Sequence, residues 1–147
     1  MKKVMALVVL FLITIVLASC SQSGLEKISF KEAEKKLTDT KGEYIAFIDV
    51  EDDTAESYKK LLKKVSENKK IYYVDITSEI KTSSHYQDEF TKKYPSTKDG
   101  IFITNKGKEV KDNKIFEFPM EINNDLSSET GIEEGAKAIN KFLDKEG

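Results

Sequence analysis

The sequence predicts an α/β fold, a central mixed β-sheet with helices on both faces in the order αβαβαββα. Three observations predict it. Apolar runs rich in aromatic and β-branched residues recur at Tyr44 to Val50, Ile71 to Val74 and Ile101 to Thr104, as in buried strands. Apolar stripes at helical spacing lie between and after them. A glycine turn, Asn105-Lys106-Gly107, follows the last run and signals a hairpin.

In chain order, Ser29-Phe30-Lys31-Glu32 has the form of a capping box, and Phe30, Ala33 and Leu37 make the buried stripe of a helix ending near Thr38. The strand Tyr44 to Val50 runs into a helix from Thr54 to about Asn68, with Ala55, Tyr58, Leu61, Leu62 and Val65 on one face. Its other face carries Lys59, Lys60, Lys63 and Lys64, with Glu56 to Lys60 and Lys63 to Glu67 at i,i+4. Such a stripe is either a solvated face or a contact for lipid headgroups. Lys70 to Ile76 is the second strand, and Ser83 to Tyr94 a shorter helix stopped by Pro95. Ile101 to Thr104 and Lys108 to Lys111 make the hairpin, with Gly107 supplying positive φ. Thr130-Gly131-Ile132-Glu133 reads as a second capping box, opening a last helix with Ile132, Ala136, Ile139, Phe142 and Leu143 inward.

The first twenty residues carry a different message. Lys2 and Lys3 precede an apolar run from Val4 to Leu17, and Ala18 and Ser19 are small: a secretory signal. The run would rise only about 21 Å as a helix, short of the ~30 Å hydrocarbon core of a bilayer. Leu17-Ala18-Ser19-Cys20 resembles the lipobox of bacterial lipoproteins, which implies a diacylglyceryl thioether on Cys20 and cleavage before it. Two acyl chains meet the two-signal requirement for stable anchoring. The expected organisation is a signal peptide at 1–19, the lipidated cysteine and a short tether at 20–27, and one domain at 28–147, held on the outer face of the cell membrane.

Cys20 is the only cysteine. A disulfide within the chain, a dithiol redox couple and a Cys-based zinc or iron site are all excluded by that count. Lys2 and Lys3 leave with the signal, taking the formal charge from −2 to −4. No basic surface for nucleic acid is implied by that balance, and no cofactor beyond the covalent diacylglycerol is expected.

A strand running straight into a turn and a long helix resembles the thioredoxin fold over about residues 28 to 145. The stretches ISFKEAEKKL, IYYVDI and GIFITNKGKEV are similar to the bacteriocin transport accessory group, small thioredoxin-like proteins of Gram-positive bacteria. The resemblance places that fold's cysteine pair at Asp52-Asp53-Thr54-Ala55, where no sulfur stands, and its substrate-clamping cis-proline at Asp99 or Gly100, with Pro95 about five residues early. What it implies is a redox-inactive accessory module, without enzymatic activity, that binds a protein of an export, bacteriocin or conjugation apparatus.

Two other readings stay open: a metal- or carboxylate-dependent enzyme at the acidic turn, and a non-redox chaperone of exported proteins. Helix N-termini favour negative charge, so Asp52 or Asp53 is expected as an N-cap, with Glu56 closing a box. Asp49, Glu51 and Asp53 do not make an EF-hand, because Thr54 and Lys60 stand where its glycine and bidentate glutamate belong. A looser cation site is open at Asn123, Asn124 and Asp125. His85, beside Ser83 and Ser84, is the only histidine and has no nucleophile-elbow context. Lys114 to Ile122 alternates apolar and charged residues, so Phe116, Phe118, Pro119 and Met120 either extend the sheet and core or form an interaction segment.

Overall fold

The computed structural model describes residues 23–49, 52–76, 99–108 and 113–147, with the backbone alone at 52, 53 and 120. The signal, Cys20, Glu51, the expected helix Ser83 to Tyr94, His85, Pro95 and most of the expected strand Lys108 to Lys111 lie outside the described residues.

The described chain forms a mixed α/β structure: β1 (Gly24–Lys27), α1 (Phe30–Asp39), β2 (Tyr44–Ile48), α2 (Asp52–Val65), β3 (Lys70–Asp75), β4 (Gly100–Ile103), β5 (Lys114–Glu117), α3 (Phe118–Glu121) and α4 (Glu129–Glu146). Its five-stranded sheet has the order β1-β3-β2-β4-β5. β1 and β2 run parallel to β3, with Gly24 opposite Lys70 and Tyr44 opposite Ile71. β4 runs antiparallel to β2, Tyr44 opposite Ile103, and β5 antiparallel to β4, Ile103 opposite Lys114.

Strand alternation sorts the core into two halves. Ile45, Phe47, Val74 and Phe102 meet Phe30, Ala33 and Leu37 of α1 on one face. Ala46, Ile48, Ile71, Ile101 and Ile103 meet Tyr58, Leu61, Leu62 and Val65 of α2 and Ala136, Ile139 and Leu143 of α4 on the other. Phe47 and Phe102, neighbouring strands' residues on the α1 face, pack edge to face at 5.5 Å.

The capping box at α1 forms as its sequence requires. Ser29 Oγ accepts from Glu32 N–H at 3.3 Å, and Glu32 Oε2 accepts from Ser29 N–H at 2.9 Å. The Ser29 N–H and the Ser29 hydroxyl, each donating to Glu32 Oε2 at 2.9 Å, hold the Glu32 carboxyl below its usual range.

Elsewhere the order departs from expectation. Gly24–Lys27, expected as tether, is a sheet strand, because β3 offers it a parallel partner and Gly24 N–H donates to Ser66 and Lys69 carbonyls at 2.9 and 3.2 Å. The strand that returns from β4 is Lys114–Glu117, later than Lys108 to Lys111, since β4 pairs across from Lys114; Gly107 does take the positive φ of a turn, +80°. α4 starts at Glu129 with Ser128 as its N-cap, so Thr130 to Glu133 is not a capping box. Ser128 Oγ accepts from Gly131 N–H at 3.0 Å, and a glycine three residues in has no carboxylate to reciprocate.

Candidate functional site

β2 ends and α2 begins at one end of the sheet, and β4 starts beside them. Asp99, immediately before β4, is buried at 9% exposure and binds in two directions. Its Oδ1 accepts from Asp49 N–H at 2.7 Å, tying it to the end of β2, and its carbonyl accepts from Phe118 N–H at 2.8 Å, tying it to the start of α3. Gly100 makes the approach possible, because a Cβ there would lie 2.6 Å from the Phe116 carbonyl oxygen.

Burial pushes the Asp99 carboxyl above its ordinary value, and bonds from the Asp49 and Asp99 backbone only partly oppose it. Asp49 is pushed up as well, by partial burial and then by the charge of Asp99; the same two causes raise Tyr58. A folded chain therefore holds its Asp99 proton at pH values where the unfolded chain has released it. The stability this group lends is fullest below the ordinary aspartate range and is lost as pH rises through the folded value. Asp99→Asn keeps an oxygen for the Asp49 N–H while removing the charge. The variant is expected to melt higher than wild type at pH 7, by about 4 °C for a gain of order 1 kcal/mol, and to lose that advantage toward pH 3. Thermal melts across that pH range check it.

Beside this corner lies a groove of about 320 Å³ between α2 and the segment linking α3 to α4. Tyr58 and Phe118 form its floor, with ring centroids 5.0 Å apart, and Pro119, Ile122, Asp125 and Leu126 form its wall. Thr54 and Ser57 bring hydroxyls to the α2 side.

Several predicted site residues take other roles. Asp52, Asp53, Thr54 and Ala55 form the first turn of α2, so neither aspartate is the residue before the helix that an N-cap must be. Glu56 does not close a box: its carboxylate holds Lys59 at 2.9 Å, and Lys59 also reaches Asp75 at 3.4 Å. Thr54 is exposed, and Ala55, 8% exposed, belongs to the core. Phe116 and Phe118 are 4% and 1% exposed and are core residues, so they are not free contacts of an interaction segment; Pro119 stays exposed at the groove. Asn123, Asn124 and Asp125 are exposed; hydrogen bonds from the Ser127 side chain and then from its N–H, the latter to Asp125 Oδ1 at 2.9 Å, lower the Asp125 pKa. Among the described residues no group of three His, Cys, Asp or Glu side chains is placed to hold a metal ion, and no helix is long and apolar enough to cross a membrane.

What sequence reasoning missed is the partnership of Asp49 with Asp99 and the part of Tyr58 in the groove. Its only local signal was a carboxylate and a glycine, Asp99-Gly100, set directly before an apolar strand. Comparison with protein-family models, with curated proteins and with solved structures finds no match to this chain.

Proposed function

We propose that this chain is a lipoprotein, anchored to the outer face of the cell membrane through Cys20, whose thioredoxin-like domain has no redox activity and serves to bind another protein. One observation carries the reading. The order β1-β3-β2-β4-β5, three parallel strands and an antiparallel pair, brings the first turn of α2 and the residue before β4 together, the two places where the thioredoxin fold keeps its dithiol and its clamping proline. On this reading Asp52 to Ala55 stand where the dithiol would be and Asp99 or Gly100 where the proline would be, and the sequence has no cysteine besides Cys20. The groove lined by Thr54, Ser57, Pro119, Ile122 and Asp125 adjoins that corner and offers a partner a recess of mixed polar and apolar side chains. The bacteriocin transport accessory resemblance suggests a partner in an export, bacteriocin or conjugation system.

The test is affinity capture from solubilised membranes. The reading expects a stoichiometric folded partner; preferential retention of unfolded proteins would favour the non-redox chaperone instead.

One observation favours a second reading, a carboxylate-dependent enzyme. Asp49 and Asp99 are two acids with raised proton affinity at the same corner, a setting in which acid-base residues are found. Changing Asp49 and Asp99 together to asparagine separates a carboxylate-dependent enzyme at this corner from a binding module. A binding module keeps its partner and its fold, because the asparagine at 99 still offers an oxygen to the Asp49 N–H. An enzyme that works through these two acids loses its activity.

A further inference from the structure

We infer that the end of the domain from which the tether leaves is a docking surface for an anionic phospholipid bilayer, so that the groove and its acidic corner face away from the membrane. The inference rests on the acylation of Cys20 proposed above.

The orientation follows from strand register. Gly24 N–H is bonded to Ser66 and Lys69 carbonyls, so the chain enters the fold where α2 ends and β3 begins. The pairings of Gly24 with Lys70, Tyr44 with Ile71 and Ile103, and Ile103 with Lys114 put the β4–β5 connection at that same end. Three residues separate Cys20 from Gly24, a reach over four steps of at most about 14 Å, so this end cannot move far from the lipid. The groove and Asp99 lie at the other end of α2, whose fourteen residues span about 21 Å.

Charge is divided along the same axis. At the tether end Glu43, Glu67, Asp144 and Glu146 each hold a lysine, Lys36, Lys64, Lys69 and Lys114 respectively, while Asp39 in the last turn of α1 is an exposed acid that accepts from Thr38 Oγ1. Lys41, Lys63, Lys106 and Lys108 are exposed there, and among the described residues no acid pairs with them. The far end gathers Asp49, Asp99, Glu121 and Asp125, and α2 and α4 begin there with Asp52, Asp53 and Glu129. Among the described residues, a chain with net negative charge thus offers a positive end to an anionic surface while its negative end points outward. Each lysine near such a surface strengthens attachment about fivefold, within a Debye length of ~8 Å at physiological salt.

The test uses the full lipoprotein in vesicles. Because Cys20 is acylated, Asn68→Cys at the tether end and Asn124→Cys at the groove each give a single thiol for an environment-sensitive dye. Quenching by nitroxide on lipid headgroups is compared between phosphatidylglycerol-rich and pure phosphatidylcholine vesicles, with Lys41, Lys63, Lys106 and Lys108 intact or all changed to glutamine. The expected result is at least fivefold stronger quenching at position 68 than at 124 in anionic vesicles, reduced by 0.5 M salt and by the glutamine variant. Equal quenching at the two positions overturns the orientation. A difference that is the same in phosphatidylcholine and insensitive to the lysines overturns the headgroup contact and leaves the tether alone as its cause. The mass of the N-terminal peptide is read in parallel: an unacylated Cys20 overturns the lipoprotein reading and this inference with it, whereas an acylated Cys20 with equal quenching overturns this inference only.

Discussion

Phe118→Ala is expected to destabilise the domain by about 3–5 kcal/mol, the range for deleting a fully buried aromatic ring. Phe118 is 1% exposed and lies between Tyr58 on α2 and the strand pair β4–β5, while its own N–H anchors Asp99. Its removal empties the groove floor and withdraws the surface on which α3 rests. Domains of this size have a total stability of about 5–15 kcal/mol, so a roughly 10 °C or larger fall in Tm is expected. Phe118→Leu returns most of the volume and is expected to recover to within about 1.5 kcal/mol of wild type. The pair of variants separates packing from recognition. If Phe118 acts by packing, the leucine variant keeps the captured partner; if it is itself the contact, capture fails while the melt stays near that of wild type. Urea or thermal unfolding together with affinity capture gives both readouts.

Gly131→Ala is expected to cost about 1–3 kcal/mol net, against the sign of helix propensity. Alanine in a helix interior is normally about 1 kcal/mol better than glycine. At 131, however, a Cβ would sit 2.0 Å from the Asp125 carbonyl oxygen and 3.0 Å from Ser128 Oγ. The obstruction is backbone, so the turn from Asp125 to Ser128 must move. With it goes the hydrogen bond by which Ser128 caps α4, worth about 1 kcal/mol, on top of an overpacking cost of about 1–3 kcal/mol. Gly135 is the control on the same helix. Its nearest neighbour would be the Leu61 Cδ1 methyl at 3.0 Å, which can rotate, so the propensity gain offsets the crowding and Gly135→Ala is expected within about 1 kcal/mol of wild type. Equal melting temperatures for the two alanine variants would contradict this account of α4's start.

Elements with a strong local code were legible in the sequence. Ser29 and Glu32 state their capping box outright, and the runs at Tyr44, Ile71 and Ile101 became β2, β3 and β4. β1 was not legible, because Gly24-Leu25-Glu26-Lys27 has one apolar residue and becomes a strand only through pairing with β3. The start of α4 was ambiguous for another reason. Ser128 and Thr130 are both good caps, and Ser128 is the one used, its Oγ accepting from Gly131 N–H. The acidic turn could be seen at once, but Asp49 and Asp99 are fifty residues apart and meet only through sheet order. Phe116 and Phe118 carried a pattern that suits a core strand and a recognition arm equally; burial assigns them to the core.

In the function we propose, a thioredoxin-like scaffold is held at the membrane by Cys20, the sequence's one cysteine, and has no thiol left with which to exchange disulfides. Insulin reduction by the purified, Cys20-acylated protein tests it most directly. The predicted result is a rate equal to that of the chemical reductant alone. Turnover at a rate like that of thioredoxin would contradict the account.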